Sequence, residues 1–195
     1  TTKTGRKQKG LGVTFTSSVG FESIFTRPKM QNDYGQGSTD VFNPRSNLSW
    51  GPKITGQSLA NWNGVTEPLR SYDNVANYFD NAGTTINNSI SFQESIQKTS
   101  IYTSFNRMQD NSMVPGSKLG RTNLMAKTTT KFGDTDRWTL DTKVQYTNAK
   151  ANNRSVGGPN GTNPFYLLNL LPRSLDITQF ENAIDGQNNM IWYGT

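Results

Sequence analysis

Apolar residues along this chain recur at every second position, a period that predicts strands rather than helices. From Leu11 to Phe25 the odd positions carry Leu11, Val13, Phe15, Val19, Phe21 and Phe25, with Ser17 and Ser23 between them, while the even positions from Gly12 to Glu22 are small or polar. A second strand is expected over about 84–94, with Ile86, Ile90 and Phe92 on one face and Thr85, Asn87, Ser89, Ser91 and Gln93 on the other. The segment 98–109 is a less regular strand, because Ile101 and Phe105 fall on one face and Tyr102 and Met108 on the other. Alternation returns over 121–132, where Leu124, Ala126, Thr128, Thr130 and Phe132 oppose Arg121, Asn123, Met125, Lys127, Thr129 and Lys131. It is clearest over 137–149: Trp138, Leu140, Thr142, Val144 and Tyr146 line one face, and Arg137, Thr139, Asp141, Lys143, Gln145 and Thr147 the other.

These strands are long. Strands of soluble sheets peak near 5–6 residues, whereas about 9–11 tilted residues cross the hydrocarbon layer of a bilayer. Trp138 and Tyr146 share a face eight residues apart, which separates them by roughly 20 Å along a membrane normal and suits two aromatic girdles against lipid. Connection lengths point the same way. Tight links are expected at Ser95–Lys98 and Gly133–Asp136, and long ones over 26–83, over 110–120 and after Ala149. Brief turns at one end and extended loops at the other are the habit of membrane barrels. A large β-sandwich with aromatic residues at the ends of its core strands is the alternative.

All eight prolines lie outside the proposed strands, as the missing backbone donor requires. The long connections also hold Trp50, Trp62 and Trp192, three of the four tryptophans, among Asn, Gly, Tyr and Asp. Aromatic rings beside amides are equipment for sugar or peptide recognition, so these residues and Tyr72 are candidate ligand or partner contacts; pinning a loop to its neighbours is the plainer use of a loop tryptophan. Short helices are expected at Asn74–Phe79 and Pro164–Leu171.

Composition narrows the chemistry. A hydrophobic content of 32% over 195 residues is low for a chain with a large core, but is the average of two-faced strands joined by polar loops. No run of about eighteen apolar residues occurs, which excludes a membrane-spanning helix and says nothing against a barrel. Cysteine and histidine are both absent, so disulfides, thiolate or imidazole metal sites and Ser-His or Cys-His catalysis are closed to this chain. Its aspartates, Asp185 among them, form no spaced calcium loop, and Gly157–Gly161 lacks the Lys-Ser/Thr ending of a phosphate loop. Catalytic residues, cofactors and metals are therefore not expected, and the chain is not read as an enzyme. Lys3, Arg6, Lys7 and Lys9 supply four of the net six positive charges; a basic arm at a strand end is a solvated or interfacial segment more readily than a nucleic-acid site. The start lacks the succession of a signal peptide, as in a mature chain or an interior stretch.

Several segments, taken in order, resemble the SusC/RagA family of TonB-linked outer-membrane transporters. Thr1–Gly10 running into GLGVTFTSSVGF resembles the junction between plug and first barrel strand. SNLSWGPKITG (Ser46–Gly56) is similar to a recurring Ser-Trp-Gly-Pro-Lys loop motif. YDNVANYFDNAGTTINNSISF (Tyr72–Phe92), NSMVPGSKLGRTNL (Asn111–Leu124) and NPFYLLNLLPRSLDI (Asn163–Ile177) resemble later family segments. The resemblance implies that 11–195 is the early part of an antiparallel transmembrane β-barrel of about 22 strands, its plug lying upstream. It further implies a Gram-negative outer membrane, a SusD-like surface lipoprotein as partner, oligosaccharide or peptide cargo, and energy from the TonB complex acting through the plug. The alternative function is a secreted or surface glycan-binding β-sandwich using Trp50, Trp62 or Trp192. Five strands cannot close a membrane barrel, whose smallest members need about eight, so the stretch is expected to be a piece of one.

Overall fold

The computed structural model describes residues 10–154, 157–159, 163–182, 184, 187 and 191–193. The basic arm, Asn160, Gly161 and Asp185 lie outside them. The chain forms nine strands among the described residues: β1 (Gly12–Glu22), β2 (Gly37–Ser38), β3 (Val41–Phe42), β4 (Ser58–Ala60), β5 (Thr66–Pro68), β6 (Gly83–Ile96), β7 (Thr99–Asn111), β8 (Lys118–Phe132) and β9 (Trp138–Asn152). Helices are short: α1 (Asn74–Tyr78), α2 (Pro164–Leu170) and a 3₁₀ turn at Ile177–Phe180. The fold is all-β in character, with an antiparallel sheet as its main element, and the chain divides into two compact units. One comprises 1–23 and 82–154, the other 24–81 and 155–195.

The first unit is a five-stranded antiparallel sheet of order β1-β6-β7-β8-β9, open at both edges. Its register tests the alternation read from the sequence, because a slip of one residue on any strand would turn that strand over. None slips. Phe15, Ile90, Phe105, Leu124 and Tyr146 stand opposite one another across all five strands, and Val13, Phe92, Thr103, Ala126 and Val144 form the next row. On the other face Thr16, Ser89, Asn106, Asn123 and Thr147 form an unbroken polar row, within which Asn123 donates to Asn106 at 3.4 Å; Asn106 donates in turn to Asn87 at 2.8 Å.

The turns sit where expected at one end of the sheet: Gln97–Lys98 joins β6 to β7 and residues 133–137 join β8 to β9. Lys98 of the first bonds Asp136 of the second at 2.8 Å. Three boundaries are corrected. β1 stops at Glu22 instead of Phe25, because its partner β6 begins opposite Glu22, at Gly83, leaving residues 23–25 without a ladder. The long loop expected over 110–120 shrinks to six residues, 112–117, since Asp110 and Asn111 pair with Leu119 and Lys118. β9 runs on to Asn152 against Lys118. An interior strand such as β8 is laddered on both sides, so polar residues and even Gly120 are held extended despite weak intrinsic preference.

The long stretch over 26–83 also carries strands. β2 and β3 turn through Thr39 and Asp40, both at positive φ (50° and 60°), as a two-residue hairpin demands. β4 and β5 form a second hairpin closed by the bond from the Asn61 amide to the Val65 carbonyl. Both helix expectations hold to within a residue. Asp73 caps α1 by accepting from the Ala76 amide, and Asn163 caps α2 with Pro164 at its first position.

Candidate functional site

The sheet wears its apolar side chains outward. Val13, Phe15, Val19 and Phe21 of β1 are half-exposed or more, as are Trp138, Leu140, Val144 and Tyr146 of β9. On β6 and β7 every exposed residue belongs to the apolar face, including Ile86, Phe92, Ile96 and Phe105, while the polar-face residues are partly or wholly buried. Tyr102, on the polar face, is only 7% exposed. On these two strands the usual burial is inverted, the apolar face being the more exposed.

The apolar band crosses the sheet on a slant. Its middle is Ser17 on β1 (Val13–Phe21), lies between Ile90 and Phe92 on β6, is Thr103 on β7, Thr128 on β8 and Thr142 on β9 (Trp138–Tyr146). The row through Ser17 passes Asn88, Arg107 and Thr122 and reaches β9 at Asn148, six residues from Thr142. Six residues along a strand are roughly 20 Å, and four strand spacings roughly 19 Å, so the band runs about 45° from perpendicular to the strands. Within it the polar pair Ser17 and Asn88 is internally satisfied, the hydroxyl donating to the amide oxygen at 2.7 Å.

The second unit buries its apolar residues conventionally. Leu69, Phe79, Leu168, Leu171, Leu175, Phe180 and Tyr193 are at most 9% exposed. Three polar side chains act as clamps that the sequence did not advertise. Asn74, 1% exposed, donates to the Leu175 carbonyl at 2.8 Å and accepts from the Ile177 amide at 3.0 Å. Gln36 donates to the carbonyls of Pro44 and Ser46. Arg173, in the Pro-Arg pair of the last family-like segment, donates to the Gln31 carbonyl and to Asn32 Oδ1, and its own carbonyl receives the Tyr72 amide. Burial pulls the Arg173 pKa downward, with Asp73 acting against that pull.

The four candidate contact residues are not gathered into one site. Trp62 stacks on Phe180 at 4.9 Å and its indole donates to Gln179 at 2.6 Å; Phe180 also meets Trp192 at 4.8 Å. Trp62 and Trp192 thus join one aromatic cluster that pins loop to loop. Tyr72 receives the Arg70 Nε–H at 2.8 Å, and the guanidinium lies over its ring. Trp50 alone among the tryptophans of this unit presents most of its surface, 60%, and tilts against Tyr34 at 5.7 Å. The following Gly51 is obligatory, since a Cβ there would lie 2.3 Å from the Gln36 carbonyl oxygen; close backbone packing beneath leaves the indole outside. Beside the cluster lies an apolar cavity of about 560 Å³, walled by Tyr78, Leu167, Leu171, Ile177, Phe180 and Trp192 among others. Burial raises the pKa of the Tyr78 and Tyr193 hydroxyls. No known family model and no curated protein matches this sequence.

Proposed function

We propose that this chain is part of the wall of an outer-membrane β-barrel importer of the SusC/RagA type. In this reading the apolar band faces lipid and the polar face, with its Asn106 and Asn123 row and Lys127, Asp141, Lys143 and Gln145, faces the aqueous or plug-filled interior. The observation that carries it is the slanted, outward-facing apolar band. Strands of membrane barrels tilt by about 35–45°, so a belt parallel to the membrane plane must cross them obliquely, by about the angle found here. The long connection 23–82 leaves the end of the sheet opposite the turns at 97–98 and 133–137, which supports the same assignment. The working partners are a SusD-like lipoprotein, TonB through a plug, and an oligosaccharide or peptide cargo, with Trp50 the side chain best placed to stack on a sugar ring.

A glycan-binding β-sandwich fares worse on the same observation, because a sandwich buries the face that this sheet exposes. Paired substitutions separate the two. Val144→Arg puts a cation in the band and is expected to cost about 2–4 kcal/mol of insertion into lipid, whereas Gln145→Arg, one residue on, is tolerated. Heat-modifiable gel mobility of the full-length protein after refolding into vesicles reads the difference. Equal folding of the two variants would overturn the barrel reading.

A further inference from the structure

Beyond the apolar band, toward the end of the sheet with the longer connections, the same outward face turns cationic. Three register rows make up this region. Arg107, Thr122 and Asn148 lie in the first, Gln109, Gly120 and Lys150 in the second, and Asn111, Lys118 and Asn152 in the third. Arg107, Lys118 and Lys150 are exposed and take part in no ion pair among the described residues. The strands carry only one carboxylate on this face, Glu94, and it lies on the far side of the Phe105 row. Asp110, the nearest acid in sequence, points to the other face, where Thr85 and Arg154 hold it.

At the centre stands Gly120, the third residue of β8. A Cβ built there would meet nothing within 4 Å, so the position is a notch in the row of side chains. Glycine inside a strand weakens it and often marks a place where something approaches the backbone closely. Gln109 and Lys150 flank the notch on the neighbouring strands, roughly 10 Å from each other. Lys118 lies two residues away along β8, and Arg107 one strand over and one row down. Cations around a notch, bordered by the amides of Asn111, Asn148 and Asn152, suit a phosphate with hydroxyls about it.

Resting on the membrane-wall reading above, we propose that this notch seats the headgroup of a phosphorylated glycolipid whose acyl chains lie along the adjoining band over Phe105, Leu124 and Tyr146. Continuity of the notch with the band selects an amphiphile over a free anion. The phosphate takes charge-assisted bonds from Lys118, Lys150 and Arg107, the amides meet sugar hydroxyls, and the chains lie on the apolar band.

The test uses the full-length protein folded in detergent micelles and native mass spectrometry. The probes are lipid A carrying its phosphates, lipid A stripped of them, and inorganic phosphate as competitor. Expected is retention of the phosphorylated lipid at least about tenfold above the stripped form, with inorganic phosphate failing to displace it. R107Q/K118Q/K150Q and, separately, Gly120→Leu abolish that preference, while the opposite-face control K127Q/K143Q keeps it; heat-modifiable mobility shows that each variant has folded. Equal retention of both lipids, displacement by inorganic phosphate, or loss of preference in the control overturns the site. A wild-type protein that is not heat-modifiable in lipid refutes the membrane-wall reading instead, so the two failures are distinguishable.

Discussion

The two units of this chain solve opposite problems. In the middle of the sheet, on β6 and β7, large apolar side chains such as Ile86, Phe92 and Phe105 are the exposed ones and their polar-face neighbours are partly or wholly buried. In the loop-built unit, Leu168, Leu171 and Leu175 are buried, and the buried polar side chains of Asn74 and Gln36 are hydrogen-bonded to backbone. Hydrophobic burial is a statement about the surrounding solvent, and under the membrane-wall proposal the contrast is that between a unit built for water and one built for lipid on one face.

Aromatic truncation separates the units most strongly. Phe180→Ala opens a cavity beneath Trp62 and Trp192 and is expected to cost the loop unit about 3–5 kcal/mol. It also shifts tryptophan emission to the red. Phe105→Ala on the sheet is expected to cost about half as much or less in vesicles, since lipid flows into the space and only the transfer part is lost. Denaturant titrations of the two variants provide the comparison, and equal costs would break it.

Next in size is the clamp at Asn74. Asn74→Leu leaves the Leu175 carbonyl and the Ile177 amide without partners, for about 2–3 kcal/mol. Hydrogen exchange at the Ile177 amide accelerates, and the amides of β6 to β8 keep their protection. Smaller still is a pH effect confined to the loop unit. Burial holds the Tyr78 and Tyr193 hydroxyls above their usual pKa, so their contribution is complete below about pH 10 and is lost as pH rises through the raised values. Unfolding midpoints on either side of that range reveal it, and Tyr193→Phe removes part of it. The smallest effect is at Arg27–Asp73, a half-exposed pair at 2.9 Å, where Arg27→Gln is expected to shift stability by less than about 1 kcal/mol.

Much of the sheet was legible in the residues alone. Period-two alternation gives the faces of four of the five strands, β7 carrying apolar residues on both, and the run of Phe165, Leu167, Leu168, Leu170 and Leu171 marks α2. The slant was not legible, because it resides in the register between strands, a long-range property that no single strand encodes. Strand ends were missed where pairing overrides propensity: Pro115 and Gly116 mark a turn, but Gly120 reads as loop until β7 and β9 are seen on either side of it. The β2–β3 hairpin was missed for its brevity, although Gly35, Gly37 and Asp40 crowd that stretch with turn residues. Of the four candidate contact residues, Trp62 and Trp192 are found packed on Phe180. An indole in a polar loop looks the same in sequence whether it waits for a ligand or rests on Phe180.

The orientation of β9 is the most direct test, and the chain is suited to it, since it contains no cysteine of its own. Single cysteines placed in turn from Thr139 to Gln145 carry a spin label in the full-length protein reconstituted in vesicles, and collisions with oxygen and with an aqueous nickel chelate are measured. Expected is a strict alternation, with labels at 140, 142 and 144 reached by oxygen from the bilayer and those at 139, 141, 143 and 145 reached by nickel or buried against protein. Equal access of the nickel chelate to both sets would mean that the apolar face of this sheet does not meet lipid.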